Sequence, residues 1–186
     1  MPTGIPSGTT LAGPRRFFEQ LNERSLRDDL VFYFTIVIAA SLLFMLAPLI
    51  MGSYPGSEPM AGGLHRAWFI VAGTLIVLVQ GLITGSVALL AVSLVEHFFL
   101  LFVDVHREFE QTMKSVVYAL SPFILFSWAV VLKVPFAGPL LLAWFCLTTY
   151  FGVWIFHEKS KDRAIFVALA TGAVLAYYLH RVVGIG

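Results

Sequence analysis

Residues 115–132 read SVVYALSPFILFSWAVVL, an uncharged run with a proline at position 122. An apolar run of about 18 residues or more is typical of a transmembrane helix. A proline inside such a helix removes a backbone hydrogen bond at a depth where lipid offers no water to replace it. This run therefore predicts a membrane helix that has to accommodate an unpaired carbonyl group.

The whole chain has the composition of an integral membrane protein. Of its 186 residues, 59% are hydrophobic and 12% are charged, whereas soluble domains carry about 25% charged residues. The net charge of +1 comes from interleaved acids and bases and gives no indication of nucleic-acid binding. The only cysteine, Cys146, lies in an apolar run, so an intramolecular disulfide is excluded.

Uncharged runs predict an all-α integral membrane protein with five transmembrane helices. The predicted spans are Leu30–Met51, Ala67–Val95, Ser115–Leu132, Val134–Phe156 and Ala164–Val183. After the second span, the sequence FFLLFV is expected to lie along the membrane interface. The third and fourth spans are separated by LKVPFAGP, whose prolines and glycine predict a tight turn.

The distribution of charge predicts the orientation of these spans. Nine of the twelve Lys and Arg residues lie in the N-terminal tail, after the second span or after the fourth span. The positive-inside rule then places the N-terminus in the cytoplasm and, with five spans, the C-terminus outside. All acids except Glu58 fall on the same side, so a polar working surface is expected at the cytoplasmic face.

The sequence before the first span divides into two parts. Residues 1–13 are rich in Gly, Pro, Ser and Thr and are predicted to be a disordered leader. Residues 14–29 form an amphipathic segment, predicted to be a short interfacial helix with Phe17, Phe18 and Leu21 at the acyl boundary. A solvated charged leader is the alternative. The membrane domain itself is predicted over residues 30–183.

Pro122 leaves the carbonyl of Tyr118 without its amide donor. A hydroxyl group, such as that of Ser121 or Ser115, is expected to replace that donor. In one interpretation, the proline only bends the helix to fit its neighbours. In the other, Tyr118, Ser121 and Pro122 form a kink that opens a polar cavity or acts as a hinge.

No set of residues with catalytic spacing is present. The acids and histidines between Glu96 and Glu110 lack HExxH spacing, and a single cysteine excludes a CxxC motif, so this cluster is interpreted as a solvated loop. Paired aspartates for Mg²⁺-diphosphate, a P-loop and a GxSxG motif are all missing. Ion-coupled transport would require an ionisable residue in the middle of a span, and none lies there in the predicted spans. We therefore expect no enzymatic activity, no cofactor and no metal site.

Several segments resemble the Yip domain family, membrane proteins named for their interaction with Ypt/Rab GTPases. GPRRFFEQL at 13–21 is similar to the lead-in of that family, and FEQTMKSVVYALSP at 109–122 is similar to its most recognisable stretch. The further matching positions are His97 before an apolar run, and Gly152, His157, Lys161 and Ala164 near the last span. Within the 109–122 stretch, the resemblance is carried by Phe109, Thr112, Lys114, Tyr118 and Pro122.

The resemblance implies a five-helix membrane domain with a cytoplasmic N-terminus, but it implies no activity. Two features depart from the family pattern: the sequence DVHRE replaces a Gly-rich link after the second span, and the cytoplasmic N-terminal region is short. This shortness suits a member from a prokaryotic cell membrane, where a Rab partner is not assumed.

Two functions fit the sequence. The first is a non-enzymatic scaffold or adaptor that contacts membrane lipids and recruits a cytoplasmic protein through its charged loops, with oligomerisation left open. His97, Lys114 and His157 would form the cytoplasmic rim of this adaptor. The second is a small transporter, channel or lipid-translocating protein that uses the kink at Tyr118, Ser121 and Pro122.

Overall fold

The computed structural model describes residues 18–21, 23–50, 63–103, 108–132, 134–157 and 160–183. These residues are helical apart from short connections, and no strand occurs among them, which confirms the all-α prediction. After a helical turn at 18–21, the helices are α1 (Leu26–Ile50), α2 (Gly63–Phe102), α3 (Phe109–Leu125), α4 (Ser127–Val131), α5 (Ala137–Phe156) and α6 (Lys161–Val183).

Four helices in the described part of the chain are long and apolar enough to cross a membrane. Their apolar segments are Leu26–Leu46, Ile70–Phe102, Ala137–Phe156 and Lys161–Arg181. They correspond to the first, second, fourth and fifth predicted spans. The third predicted span is divided between α3 and α4, so helix length and composition support four spans and leave the fifth unconfirmed.

The break between α3 and α4 lies beyond the proline. α3 stays helical through Pro122 and ends at Leu125, and Phe126 then leaves helical geometry at φ −101° and ψ 8°. The N–H of Phe126 still donates to the carbonyl of Pro122 at 3.0 Å. The hydroxyl of Ser127, the first residue of α4, donates to the carbonyl of Ile124 at 2.7 Å and satisfies an acceptor at the end of α3.

The predicted tight turn is present between α4 and α5. α4 ends at Val131, and α5 begins at Ala137, three residues later than the predicted start of the fourth span. Phe136 caps the N-terminus of α5 in the left-handed conformation, with φ 64°. Pro139 then occupies the first turn of α5, where an N–H group has no intrahelical acceptor and its loss costs little.

Helices α1 and α2 are antiparallel and pack closely at two glycines. The hydroxyl of Tyr33 donates to the carbonyl of Gly85 at 2.8 Å, while Ser41, two turns further along α1, packs against Gly81. A Cβ atom added at Gly81 would lie 2.1 Å from Ser41 Oγ. The GLITG sequence is therefore a surface for close helix approach within one chain.

Helix α3 lies at the centre of the bundle. It packs against α1, α2, α4 and α5, and its buried residues are Thr112 and 114–121. Near its N-terminus, Thr112 contacts His97 in the last turns of α2, and Ser115 packs against Gly152 in the last turns of α5. α3 therefore runs antiparallel to both helices.

The same end of the bundle gathers the beginnings of α1, α3 and α6 and the ends of α2 and α5. We call this the charged end, because it carries the exposed ionised residues Glu19, Glu23, Arg24, Arg27, Asp28, Glu108, Glu110, Lys161, Asp162 and Arg163. At the opposite end, Arg181 near the end of α6 is exposed. The long helices therefore run along one common axis. Most of the exposed charge of the described residues lies at one end of this axis, apart from the apolar surface.

The N-terminal segment packs on protein, and an interfacial helix over 14–29 is not shown. Phe18 and Leu21 are 5% and 3% exposed, and the Phe18 ring centroid lies 5.9 Å from those of Phe151 and Phe156 on α5. Residues 26–29 belong to α1. The expected contact of Phe18 and Leu21 with lipid is therefore wrong, because the aromatic end of α5 offers them a protein surface. The predicted leader at 1–13 and Phe17 lie outside the described residues.

Candidate functional site at the charged end

Lys114 fastens the N-terminal segment to the central helix. Its Nζ atom donates to the carbonyl of Arg24 at 2.7 Å and lies 3.7 Å from Glu110 Oε1. The residue is only 8% exposed. A lysine whose charge is largely removed from water needs such partners, so this contact fixes the segment that leads into α1.

Tyr118, one turn further along α3, ties the central helix to α1. Its hydroxyl donates to Asp29 Oδ1, and its ring stacks on Phe32 at a centroid distance of 5.6 Å. Asp29 is fully buried. Lys114 and Tyr118 lie on the same face of α3 because they are four residues apart, and together they anchor the chain before and within the first turn of α1.

His97 makes the corresponding link between α2 and α3. Its Nδ1 atom lies 3.1 Å from Thr112 Oγ1, and either group donates according to the tautomer of the ring. The ring also meets Phe109 edge to face at a centroid distance of 5.4 Å. His157 occupies the C-cap position of α5, where its backbone N–H donates to the carbonyl of Val153 at 3.3 Å.

The three residues predicted to form a cytoplasmic rim thus lie at the charged end but point inward. Lys114 and His157 are 8% and 1% exposed, and His97 is half-buried. The side chains of Lys114 and His97 link different parts of the chain, His157 lies buried at the end of α5, and the exposed charges around them form the surface.

The three residues predicted to form the kink are packed against protein. Tyr118 and Ser121 are buried and Pro122 is half-buried. The hydroxyl of Ser121 donates to the carbonyl of Val117 at 2.6 Å, one residue before the carbonyl that was expected to receive it. Two apolar grooves lie elsewhere, on the outer faces of α1 and α2.

A comparison with models of protein families shows which family this chain belongs to. The chain matches the family model of the Yip1 domain over residues 9–181. It belongs to the Yip1 domain family. No curated protein and no solved structure matches it significantly. The resemblance seen in the sequence is therefore confirmed, and with its apolar helices the protein is an integral membrane protein of the Yip type.

In this Yip1 domain, the stretch that carried the resemblance is the buried helix α3. Phe109, Thr112 and Tyr118 make contacts with neighbouring helices, and Lys114 binds the segment before α1. These positions hold the charged end together, which gives a packing reason for their residue types. The described residues contain no group of three His, Cys, Asp or Glu side chains able to hold a metal ion.

Sequence reasoning missed two buried acids in the Yip1 domain. Asp29 was assigned to the N-terminal segment, and Glu96 was assigned to a solvated cytoplasmic cluster. The structure corrects both assignments, because each side chain is 0% exposed and α2 continues without interruption to Phe102. One signal was available for Glu96: Ser93, Glu96 and Leu100 have the spacing of one helical face, which extends the buried face of α2 past the acid.

Proposed function

We propose that this Yip1 domain is a non-enzymatic membrane scaffold or adaptor whose charged end binds a cytoplasmic protein. The observation that carries the proposal is the concentration of exposed charge on one end of an otherwise apolar bundle. Acids and bases are interleaved there, and such a surface favours a partner with complementary charges while it selects against others.

The interior of the charged end supports the same proposal. Lys114 and Tyr118 hold the first residues of α1 against α3, and Arg163 Nη1 donates to the carbonyl of Val103 at 3.1 Å, joining α6 to the end of α2. These contacts fix the relative positions of the exposed charges. A surface that is ordered before binding loses less conformational entropy on association.

We propose further that the chain crosses the membrane five times, with the N-terminus in the cytoplasm and the C-terminus outside. α3 starts at the charged end, and α5 finishes there, so residues 109–131 have to carry the chain to the opposite end. At 1.5 Å per residue these 23 residues reach about 34 Å, which is enough for a hydrocarbon core of about 30 Å. The basic residues of the charged end orient that end toward the cytoplasm.

The alternative, a transporter or channel that uses the Tyr118, Ser121 and Pro122 kink, has weaker support. The hydroxyls of Tyr118 and Ser121 are engaged with Asp29 and Val117, and the Tyr118 ring is covered by Phe32. A conduction path along this face would have to break these contacts.

The adaptor proposal is tested by reversing exposed charges. We would compare the wild type with a Glu108→Lys/Asp162→Lys variant, in which two exposed acids at helix starts are reversed. The matched control is Arg181→Glu, which reverses an exposed charge at the opposite end. The measurement is in-cell chemical crosslinking with mass spectrometry, at equal amounts of protein in the membrane.

The adaptor proposal expects at least a roughly tenfold loss of crosslinked cytoplasmic partners in the double variant and none in the control, because charge complementarity mainly sets the association rate. An unchanged set of partners in the double variant would contradict it. Solute or lipid flux by the purified wild type in liposomes would instead favour the transporter.

A further inference from the structure

The outer face of α2 carries two polar side chains within an apolar membrane span. Gln80 and Thr84 are both exposed, and they share one face of the helix because they are four residues apart. They line the groove on the outer face of α2, together with apolar neighbours such as Ile83, which is 61% exposed. Gln80 is the only asparagine or glutamine in the predicted spans. α2 therefore presents a carboxamide group to the surroundings of the bundle.

The packing of α2 on α1 gives the depth of these two residues. Gly81, which follows Gln80 in the chain, packs against Ser41 of α1. α1 is uncharged over residues 30–50, about 31 Å of helix, so Ser41 lies near the middle of a hydrocarbon core of about 30 Å. Thr84 is one turn further along α2. Both polar side chains are thus at least about 10 Å inside the hydrocarbon, too deep for a side chain of this length to reach the headgroups.

Neither polar side chain forms a hydrogen bond with another described residue. Other hydroxyl groups on these helices are paired within their own helix: Thr35 donates to the carbonyl of Val31, and Thr74 donates to that of Ile70. Lipid chains offer neither donors nor acceptors, and an unpaired amide group in an apolar medium is costly. We therefore expect Gln80 to be paired with a group from another molecule.

A second copy of the chain supplies what Gln80 lacks. A carboxamide has N–H donors and an acceptor oxygen, so two copies of Gln80 can bond each other reciprocally across a two-fold axis. All copies are inserted with one orientation, because the distribution of Lys and Arg sets it. The two-fold axis then runs along the membrane normal, and each residue near the axis faces its own counterpart.

The exposed residues around Gln80 have the spacing of a helix–helix contact. Five exposed residues of α2 follow one another at alternating steps of four and three, which is the pattern of left-handed helix packing. The glycines of the GLITG sequence are already packed against α1 and lie outside this set. A single polar residue in such a contact fixes the register of the two helices. We call this set the α2 seam; its members are Gln80, Thr84, Val87, Ala91 and Leu94.

We propose that the α2 seam binds the α2 seam of a second copy of this chain. The product is a parallel homodimer within the membrane, in which the two Gln80 side chains are hydrogen-bonded to each other. The hydroxyl of Thr84 lies one turn away and adds a second polar group to the contact. This inference goes beyond the adaptor function and does not depend on it.

Disulfide crosslinking tests which face of α2 is paired, in membranes from cells that express the full chain. Val87→Cys places a thiol in the α2 seam, and Val79→Cys places one on the flank of the same helix; these valines are 60% and 56% exposed. Oxidation by copper phenanthroline is expected to yield at least about fivefold more dimer for Val87→Cys, since a disulfide needs Cα atoms about 4.4–6.8 Å apart. The wild type gives the background, because Cys146 packs against Gly172 within the chain.

The strength of association is measured with the purified full chain in liposomes. Förster transfer between donor-labelled and acceptor-labelled copies is followed as the protein is diluted in lipid. Gln80→Leu keeps the approximate size of the side chain and removes its polar atoms, so it is expected to lower the association constant at least about tenfold. The control is Thr35→Val, which removes an exposed hydroxyl already bonded within α1 and is expected to leave association unchanged.

Three results would overturn the proposal. The first is a wild type that stays monomeric at every ratio of protein to lipid. The second is association of equal strength in Gln80→Leu, or equal dimer yield from Val79→Cys and Val87→Cys, since the copies would then meet through another face. The third is a crosslinked product of Val87→Cys whose mass differs from that of two chains, since a different protein would then cover the α2 seam.

Discussion

Replacing Gly152 with alanine tests the close packing of α5 on α3. The new Cβ atom would lie 2.2 Å from Ser115 Oγ, 2.9 Å from Ser115 Cβ and 3.4 Å from Ser115 Cα. The hydroxyl can rotate away, but Cβ and the backbone cannot, so α3 and α5 would have to separate. Overpacking of this kind costs about 1–3 kcal/mol, and the better helix propensity of alanine returns about 0.5–1 kcal/mol.

The expected net loss for Gly152→Ala is about 1–2 kcal/mol, which corresponds to an unfolding temperature lower by roughly 2–8 °C in a chain of this size. Tryptophan fluorescence in detergent would follow the transition, because Trp154 lies on α5 near the contact. Adding Ser115→Gly removes both crowded side-chain atoms. The double variant should therefore be more stable than the sum of the two single changes predicts, by about 1 kcal/mol or more.

Gly81→Ala provides a matched comparison on another helix pair. There the added Cβ would meet Ser41 Oγ at 2.1 Å but Ser41 Cβ only at 3.3 Å, so rotation of one hydroxyl relieves most of the overlap. We expect the change to stay within about 1 kcal/mol of the wild type, since the rotated hydroxyl gives up its bond to Val37. If Gly152→Ala is as stable as Gly81→Ala, the packing of α3 on α5 described above is wrong.

Three further changes probe the charged end and the α4–α5 turn. Tyr118→Phe removes a hydrogen bond to the buried Asp29 and should lower the free energy of unfolding by about 1–3 kcal/mol in chemical denaturation; no loss would contradict the contact. Lys114→Met should increase tryptic cleavage at Arg24 several-fold under native conditions, because that carbonyl loses its donor; unchanged cleavage would mean that other contacts hold the segment. Phe136→Gly should raise the free energy of unfolding by about 1 kcal/mol, since glycine adopts the left-handed conformation freely; a decrease would show that the exposed ring contributes more than the strain costs.

Hydrophobic runs predicted most of the helices because a span needs only length and the absence of charge. α1 and α6 begin a few residues before the predicted spans and end within a residue of them. The division of the third span was not predictable in the same way. Its break at Phe126 follows Pro122 by four residues, within a stretch that is apolar on both sides.

The contacts at the charged end could not be predicted from the sequence, for a different reason. Phe18 is equally suited to a lipid interface or to a protein surface, and its partners Phe151 and Phe156 lie more than a hundred residues away in the chain. Glu96 was treated as the end of a span because ionisable residues usually stop one. It is buried because other helices pack against α2, and a reading of α2 alone does not reveal them.

The length of α2 sets a condition on the surrounding membrane. Its apolar segment has 33 residues and is therefore about 50 Å long, against a hydrocarbon thickness of about 30 Å. Immersing a straight rod of that length would require an inclination of about 53°, beyond the 0–40° range of transmembrane helices. Either the lipid next to α2 thickens, or an apolar stretch of the helix rises above the acyl chains. In the first case the domain deforms its bilayer unevenly and is expected to be enriched where membranes are thick.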